Sequence, residues 1–440
     1  MLTSVLAFVF VLGVLIFVHE LGHYLVARRI GVRVLTFSLG FGPKLLNIRR
    51  GDTDYCVSAI PLGGYVKMAG ETAEDERTGA PDEFLSKSKW QRFQVLVAGP
   101  VMNILLAIVV LAVVLYQGAD VPAYEQRTPI VGRVVEGSAA ARAGSETGDR
   151  IVSIADKTVE TWEQVFMAVL PKANREVRMV VRRDGLDRTL LVTPDAQTKY
   201  EIGDIGVLPE IHPQVISVSP GDPAAEAGVQ IGDVVLGVDD RMGVNRAELI
   251  EYIQQHDGAP ITLHLDRAGG RVDLTLTPRL RGDVSIIGAI LSIYEVRTIE
   301  PGPLQAIQLS LERNWEWSRL IVQTLVGLFT RETSVKQLMG PVAIAEMSGG
   351  AAELGWLALF NLMALISLNL GLLNLMPIPV LDGGHITILA LEGLARRDFS
   401  MRVKEKLLIG GFVLLLMLMV TVIYNDLTRV QWIEHLMFWR

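Results

Sequence analysis

Five consecutive residues, His19-Glu20-Leu21-Gly22-His23, are the part of this sequence best equipped for chemistry. In a helix, His19 and His23 stand four residues apart and share one face, a turn from each other. Two imidazoles in that relation reach one zinc ion, and Glu20 between them can hold a water against it. The chain has 440 residues, 7 of them histidine and one of them cysteine, Cys56. A single cysteine excludes an internal disulfide framework and thiolate-rich zinc or iron–sulfur sites, which leaves His, Asp and Glu as metal ligands. A catalytic zinc takes three protein ligands and keeps a fourth position open for water. The third ligand must therefore come from elsewhere in the chain.

The elements that would position these residues are apolar. Hydrophobic residues make up 50% of the chain and charged residues 20%, against about 25% charged in soluble globular proteins. Residues 2–18, 93–116, 354–381 and 407–425 carry no charge. Each approaches or exceeds the roughly 20 residues needed to span a bilayer. The first run continues through His19, Glu20 and His23, which places ionisable groups inside a span, where they are costly and functional by default. It lacks a basic leader and a small-x-small cleavage site, so it reads as a retained span rather than a signal peptide. Eleven Lys and Arg residues lie between Arg28 and Arg92, and five (Arg396, Arg397, Arg402, Lys404, Lys406) follow the third run. By the bias of basic loops these two connections face the cytoplasm, and both termini and the central region face outside. The net charge of −7 argues against a nucleic-acid partner, which calls for a basic footprint.

The third ligand should sit at the depth of His19 and His23, near the cytoplasmic end of a span. The third run closes on Asn374-Leu375-Met376-Pro377-Ile378-Pro379-Val380-Leu381-Asp382-Gly383-Gly384-His385. Asp382 fits best by depth and charge, with His385 as runner-up and as a loop histidine otherwise. Pro377 and Pro379 cannot continue a helix, and irregular backbone at membrane depth is tolerated where it lines a cavity or is buried in protein. An extended segment is expected here, beside the metal, where a peptide substrate must also be held strand-like. Asn374 and Asn369 offer amides to a substrate backbone, or serve as ordinary interhelical contacts.

The polar centre repeats itself at a shift of 84 residues. Val131, Val134, Gly137, Ala143-Gly144, Gly148-Asp149, Arg183 and Thr193-Pro194 fall on Val215, Val218, Gly221, Ala227-Gly228, Gly232-Asp233, Arg267 and Thr277-Pro278. Two copies are too few for a solenoid, so each should be self-contained. The first copy reads as strands at 130–135, 150–154, 177–182 and 189–193 with a helix at 162–170. The runs SAAARAG…GDRIVSI and DPAAEAGVQIGDVVLGV resemble PDZ domains. That resemblance implies peptide capture by strand addition, with a plain spacer as the alternative.

Taken in order, His19-Glu20-Leu21-Gly22-His23, Gly99-Pro100-x-x-Asn103 and Asn374-x-x-Pro377-x-Pro379-x-Leu381-Asp382-Gly383 resemble the site-2 protease family of intramembrane zinc metalloproteases. Four spans with two PDZ-like domains between the second and third are similar to its Gram-negative branch. The resemblance implies that His19, His23 and Asp382 bind zinc and that Glu20 is the catalytic acid/base. It implicates Asn374, Pro377 and Pro379 in substrate binding. A Gly-Phe-Gly like Gly40-Phe41-Gly42, in membrane-dipping β-structure, is placed by the same resemblance against the substrate. From the residues alone, 31–67 is a β-hairpin or small sheet at the interface, with Cys56 packed inside it. Residues 303–330, with Trp315 and Trp317, read as helices on the outer leaflet.

The expected fold is a polytopic α-helical membrane protein with two extracytoplasmic PDZ-like domains. Its parts are a first span at 1–28, a cytoplasmic-side loop with β-structure at 29–92 and a second span at 93–117. PDZ-like domains follow at 125–197 and 203–281, then outer amphipathic helices at 300–352, a third span at 354–389 and a fourth at 407–425. The resemblance implies a bacterial inner-membrane location. It also implies single-pass membrane substrates already shortened outside, such as anti-sigma factors of the envelope stress response and remnant signal peptides. Two other readings compete. A membrane zinc transporter needs ligands along a path, and the second and fourth spans carry no His, Asp or Glu. A non-catalytic PDZ scaffold would have no use for an intact Glu20.

Overall fold

The computed structural model describes residues 2–71, 78–197, 201–282, 284–330 and 333–428. Among the described residues the helices are α1 (Leu2–Arg29), α2 (Lys89–Tyr116), α3 (Ala139–Arg142), α4 (Trp162–Val169), α5 (Pro223–Glu226), α6 (Arg246–Gln255), α7 (Pro303–Phe329), α8 (Pro341–Leu354), α9 (Trp356–Asn374), α10 (Asp382–Leu394) and α11 (Met401–Thr428). The chain forms two compact units. One comprises Met1–Gln117, Glu300–Val326 and Leu338–Arg440, the other Gly118–Ile299 and Gly327–Gln337.

In the first unit α1, α2, α9 and the Arg402–Thr428 part of α11 are long and apolar enough to cross a membrane. The protein is polytopic, with several β-sheets besides. Helix α2 starts four residues before the expected 93, because Ser88 and Gln91 form a capping box that satisfies the first backbone donors. The expected third span at 354–389 is not one helix. It ends as α9 at Asn374, turns through residues 375–381 and restarts as α10 at Asp382. The expected extended segment is instead a chain of tight turns, with Ile378 N donating to Met376 O at 2.7 Å and Leu381 N to Ile378 O at 3.1 Å. Two prolines stop the helix, and Gly383 and Gly384 let it restart at once. A Cβ at Gly383 would collide with the Leu375 and Met376 carbonyls, and one at Gly384 with that of Ile378.

Helix α11 is fastened near both ends. Near its start Lys404 Nζ pairs with the fully buried Glu392 of α10 at 2.7 Å. Near its end Asp426 accepts from Gly340 N, Val342 N and Ala343 N, each at 3.1 Å, where α8 begins. Helix α7 does more than lie on a surface. Ser310 Oγ donates to Ile108 O of α2 at 2.7 Å, while Trp315 is 67% exposed on another face.

Strands β1 (Val34–Arg50) and β2 (Thr53–Met68) form one antiparallel sheet in the connection between α1 and α2. Each strand bends back, so one hairpin fills four lanes. Residues 34–39 pair with 64–68 on one side and with 54–57 on the other, and 54–57 pair again with 46–49. Tyr24 and Ala27 of α1 share a core with Val34, Phe37, Val66, Met68 and Phe84, which anchors the sheet to the helix. Cys56 is buried there, its thiol donating to Asn47 Oδ1 at 3.4 Å.

The second unit holds two repeats. The first has a four-stranded antiparallel sheet in the order Lys157–Thr158, Arg150–Ile154, Val177–Arg183, Leu186–Val192, with α3 and α4. The second follows the same order with Arg241–Met242, Val234–Val238, Ile261–Arg267 and Gly270–Leu276, with α5 and α6. Each has its own core, one around Trp162, Ile151 and Met179, the other around Leu249, Leu263 and Leu265. Residues 84 apart make the same contacts. Arg183 Nε donates to Asp149 Oδ1 at 2.6 Å and its Nη2 to Oδ2 at 2.8 Å. Arg267 grips Asp233 in the same way at 2.7 Å and 2.7 Å.

Burial raises the Asp149 carboxyl, but the Arg183 guanidinium and the Glu146 N–H outweigh it and hold the group below its usual range. A depressed folded pKa stabilises the fold above the unfolded value of about 4 and is lost as pH falls through the folded value. Asp149→Asn is expected to cost about 1–3 kcal/mol at pH 7 by removing the buried carboxylate's charge-assisted bonds to Arg183 and to Glu146 N, and progressively less below pH 4. Hydrogen exchange of residues 150–154, corrected for intrinsic rate, reads this. A deficit that stayed constant down to pH 2 would count against it.

Candidate metal centre

The site is assembled where α1 crosses α2. Gly22 lies against Ala98 of α2, and Gly99 lies against the histidines, where a Cβ would fall 2.8 Å from His23 Cε1 and 2.9 Å from His19 Cε1. Only a residue without a side chain lets α2 approach this closely. Pro100 removes the N–H that would otherwise bond Leu96 O, in the turn next to Val95. The Val95 carbonyl accepts from His23 Nδ1 at 2.8 Å, so the other ring nitrogen of His23 is free to act as a ligand. His19 Nδ1 faces the Asn103 amide at 3.3 Å.

Asp382, the first residue of α10, completes the group. Its Oδ2 lies 3.1 Å from His19 Nε2 and its Oδ1 lies 3.5 Å from His23 Nε2, while the two Nε2 atoms are 3.3 Å apart. Among the described residues these three are the donors that converge on one point. A tetrahedral zinc with ligands at about 2.0–2.1 Å has its donors about 3.3 Å apart, so the spacing fits that ion. Two imidazole nitrogens and one carboxylate oxygen match the three protein ligands of a catalytic zinc, which keeps its fourth position for water.

Glu20 is half-buried in α1 beside them. Gly64 of β2 stands against it, where a Cβ would fall 2.9 Å from Glu20 Cγ. Gly64 pairs with Leu39, the residue before Gly40, so an edge lane of the sheet reaches the acid. Gly40 and Gly42 have φ of +89° and +84°, and Phe41 between them stacks on Tyr65 with centroids 6.2 Å apart. Asn374 closes α9, and Asn369 is exposed more than a turn earlier. Pro377 is exposed in the turn segment, and Pro379 packs on Gly411 of α11. His385 lies one turn into α10 and is not among the convergent donors.

Gly22 and Gly99 lie within sequence motifs, but their part in the site, like that of Gly64, shows only in the packing. Gly22, Gly99 and Gly64 act through close approach, which a small-residue pattern at helix crossings could have flagged. Val380 has φ +92°, a left-handed conformation that costs a β-branched residue about 1–3 kcal/mol, and it turns the chain into Asp382. No residue pattern announces that.

The geometry describes a zinc-type hydrolytic centre set among membrane-spanning helices. The profile of Peptidase family M50 matches residues 7–418. A Salmonella typhimurium protein named regulator of sigma-E protease RseP is 34% identical over 97% of this chain and 99% of its own length. Its Escherichia coli namesake is 34% identical over 96% and 98%. A Vibrio cholerae protein with zinc metalloprotease in its description is 33% identical over 97% and 99%. The chain belongs to peptidase family M50, the site-2 proteases. It is an intramembrane zinc metalloprotease and a multi-pass inner-membrane protein.

Proposed function

We propose that this protease cuts the transmembrane segments of single-pass membrane proteins whose outer domains have already been removed, including an anti-sigma factor of envelope stress signalling and remnant signal peptides. The observation that carries the reading is the convergence of His19, His23 and Asp382 within 4.8 Å among helices apolar enough to span a bilayer. Relatives named regulator of sigma-E protease RseP support the signalling substrate.

In this reading His19, His23 and Asp382 hold the metal. Zinc, when bound, supplies polarisation of the scissile carbonyl and lowers the pKa of the attacking water towards about 7. Glu20 takes the water's proton and later delivers it to the leaving amine nitrogen. The lane of β2 at Gly64 lies against Glu20 and suits a substrate strand added to the sheet, which offsets part of the cost of unwinding a helix. Gly40, Phe41 and Gly42 shape that sheet, and Asn374, Asn369, Pro377 and Pro379 border the opposite side of the substrate.

The two repeats act as PDZ domains outside the membrane. They exclude intact ectodomains and take a free peptide end where one is offered. Basic connections at 29–92 and 390–406 lie in the cytoplasm, and the amino terminus lies in the periplasm. The carboxyl terminus, assigned to the same side, falls outside the described residues.

The test is cleavage by purified protein in proteoliposomes of a single-span reporter, offered with an intact folded ectodomain or without it. Only the shortened reporter is expected to be cut, at a bond that mass spectrometry places within its span. Equal cleavage of both would remove the size filter, and a cut outside the span would remove the substrate class.

A further inference from the structure

We propose that Asn103 is the positioning residue that makes His19 a competent ligand, by turning its amide oxygen towards His19 Nδ1. The proposal rests on the reading that His19 binds the metal. A histidine that coordinates through Nε2 must carry its proton on Nδ1, and which nitrogen holds the proton is set by the hydrogen bond at the other. His19 Nε2 is the atom that faces Asp382 and His23. Its Nδ1 therefore needs a buried acceptor, and the group within reach is the Asn103 amide at 3.3 Å.

Asn103 is fully buried. With its nitrogen turned to the ring, Oδ1 is enclosed without a hydrogen-bond partner. The two ends of a carboxamide have the same shape and are told apart by their hydrogen bonds. Turning the amide over sets Oδ1 against Nδ1–H and moves the NH2 to the enclosed position that Oδ1 now holds, so the choice between the two orientations is made by which ring nitrogen carries the proton. His23 shows the same arrangement two turns earlier on α2, where a backbone carbonyl, Val95 O, receives Nδ1–H at 2.8 Å. Helix α2 thus orients both histidines of α1, one through its backbone and one through a side chain. Only the second can be altered by substitution.

The role is separable from helix packing. Ser367 of α9 donates to the backbone oxygen of Asn103 at 2.8 Å, and that bond survives a change of side chain.

The test is zinc affinity of the full chain in detergent, measured by chelator competition, with the visible spectrum of the cobalt(II)-loaded protein as a second readout. Asn103→Leu keeps the size and removes the acceptor, and is expected to weaken zinc binding about 10–100-fold and to change the cobalt spectrum. Asn103→Asp retains an oxygen and forms a carboxylate–histidine pair, so it is expected to bind at least about tenfold tighter than Asn103→Leu. Wild-type affinity in Asn103→Leu overturns the proposal, as does equal weakening in the Leu and Asp variants. Asn103→Ala, measured beside them, replaces Asn103→Leu if that protein does not accumulate. His19→Ala separates the two readings. Undiminished zinc binding there removes His19 as a ligand. Loss there with wild-type binding in Asn103→Leu removes only the role of Asn103.

Discussion

Glu20→Gln is expected to lower cleavage of a membrane-embedded reporter by about 10²–10⁴-fold, the usual contribution of a positioned acid or base, while zinc stays bound. The amide fills the same space, so the Glu20–Gly64 contact persists and the sheet keeps its place. What is lost is the acceptor for the water's proton. Because Glu20 is not one of the three convergent donors, metal content and activity should separate. Zinc per chain by elemental analysis and product by mass spectrometry are read on the same preparation. A variant that keeps both cleavage and zinc shows that the proton goes elsewhere. One that loses both shows that Glu20 supports the metal instead.

Asp382→Asn should act in the opposite order, on the metal first. The substitution removes the charge that faces both Nε2 atoms, at 3.1 Å and 3.5 Å. Replacing even an outer partner of a metal ligand costs about 10–100-fold in affinity, so loss of a direct ligand's charge should cost at least about 100-fold. Chelator competition measures this, and raising zinc should recover part of the activity in Asp382→Asn but none in Glu20→Gln. Zinc affinity equal to wild type would assign the third position to another group, with His385, one turn further along α10, as the nearest alternative in sequence.

These two residues were readable because spacing and environment mark them. His19, Glu20 and His23 stand out through a helical period inside an apolar run, and Asp382 through being an acid at the end of another. The four apolar runs map onto α1, α2, α9 and α11 for the same reason, since bilayer length leaves few alternatives. The 84-residue repeat was legible because identical residues recur at one offset, and Asp149–Arg183 and Asp233–Arg267 recur with it in space. The restart at Asp382 was less so. Two prolines show where a helix must stop, but where it starts again depends on Gly383 and Gly384 fitting beneath the carbonyls of Leu375, Met376 and Ile378. The fourfold lanes of β1 and β2 were hidden likewise, because register follows from tertiary contacts with α1. Asn103 sat in a recognised motif, yet its relation to His19 needs the crossing of two helices to become visible.

The distance along the chain between the histidines and their carboxylate partner has a consequence for biosynthesis. His23 and Asp382 are separated by more than 350 residues, whereas each repeat closes its core and its Asp–Arg clasp within its own segment. Local contacts form early and distant ones late. The repeats can mature while the ribosome is still making α9 and α10, and α1 waits in the bilayer without Asp382, the third ligand in the proposed reading. In that reading hydrolytic competence cannot precede the synthesis of α10. A product stalled before Asp382 is then expected to carry the histidines and Glu20 without the power to cut its neighbours.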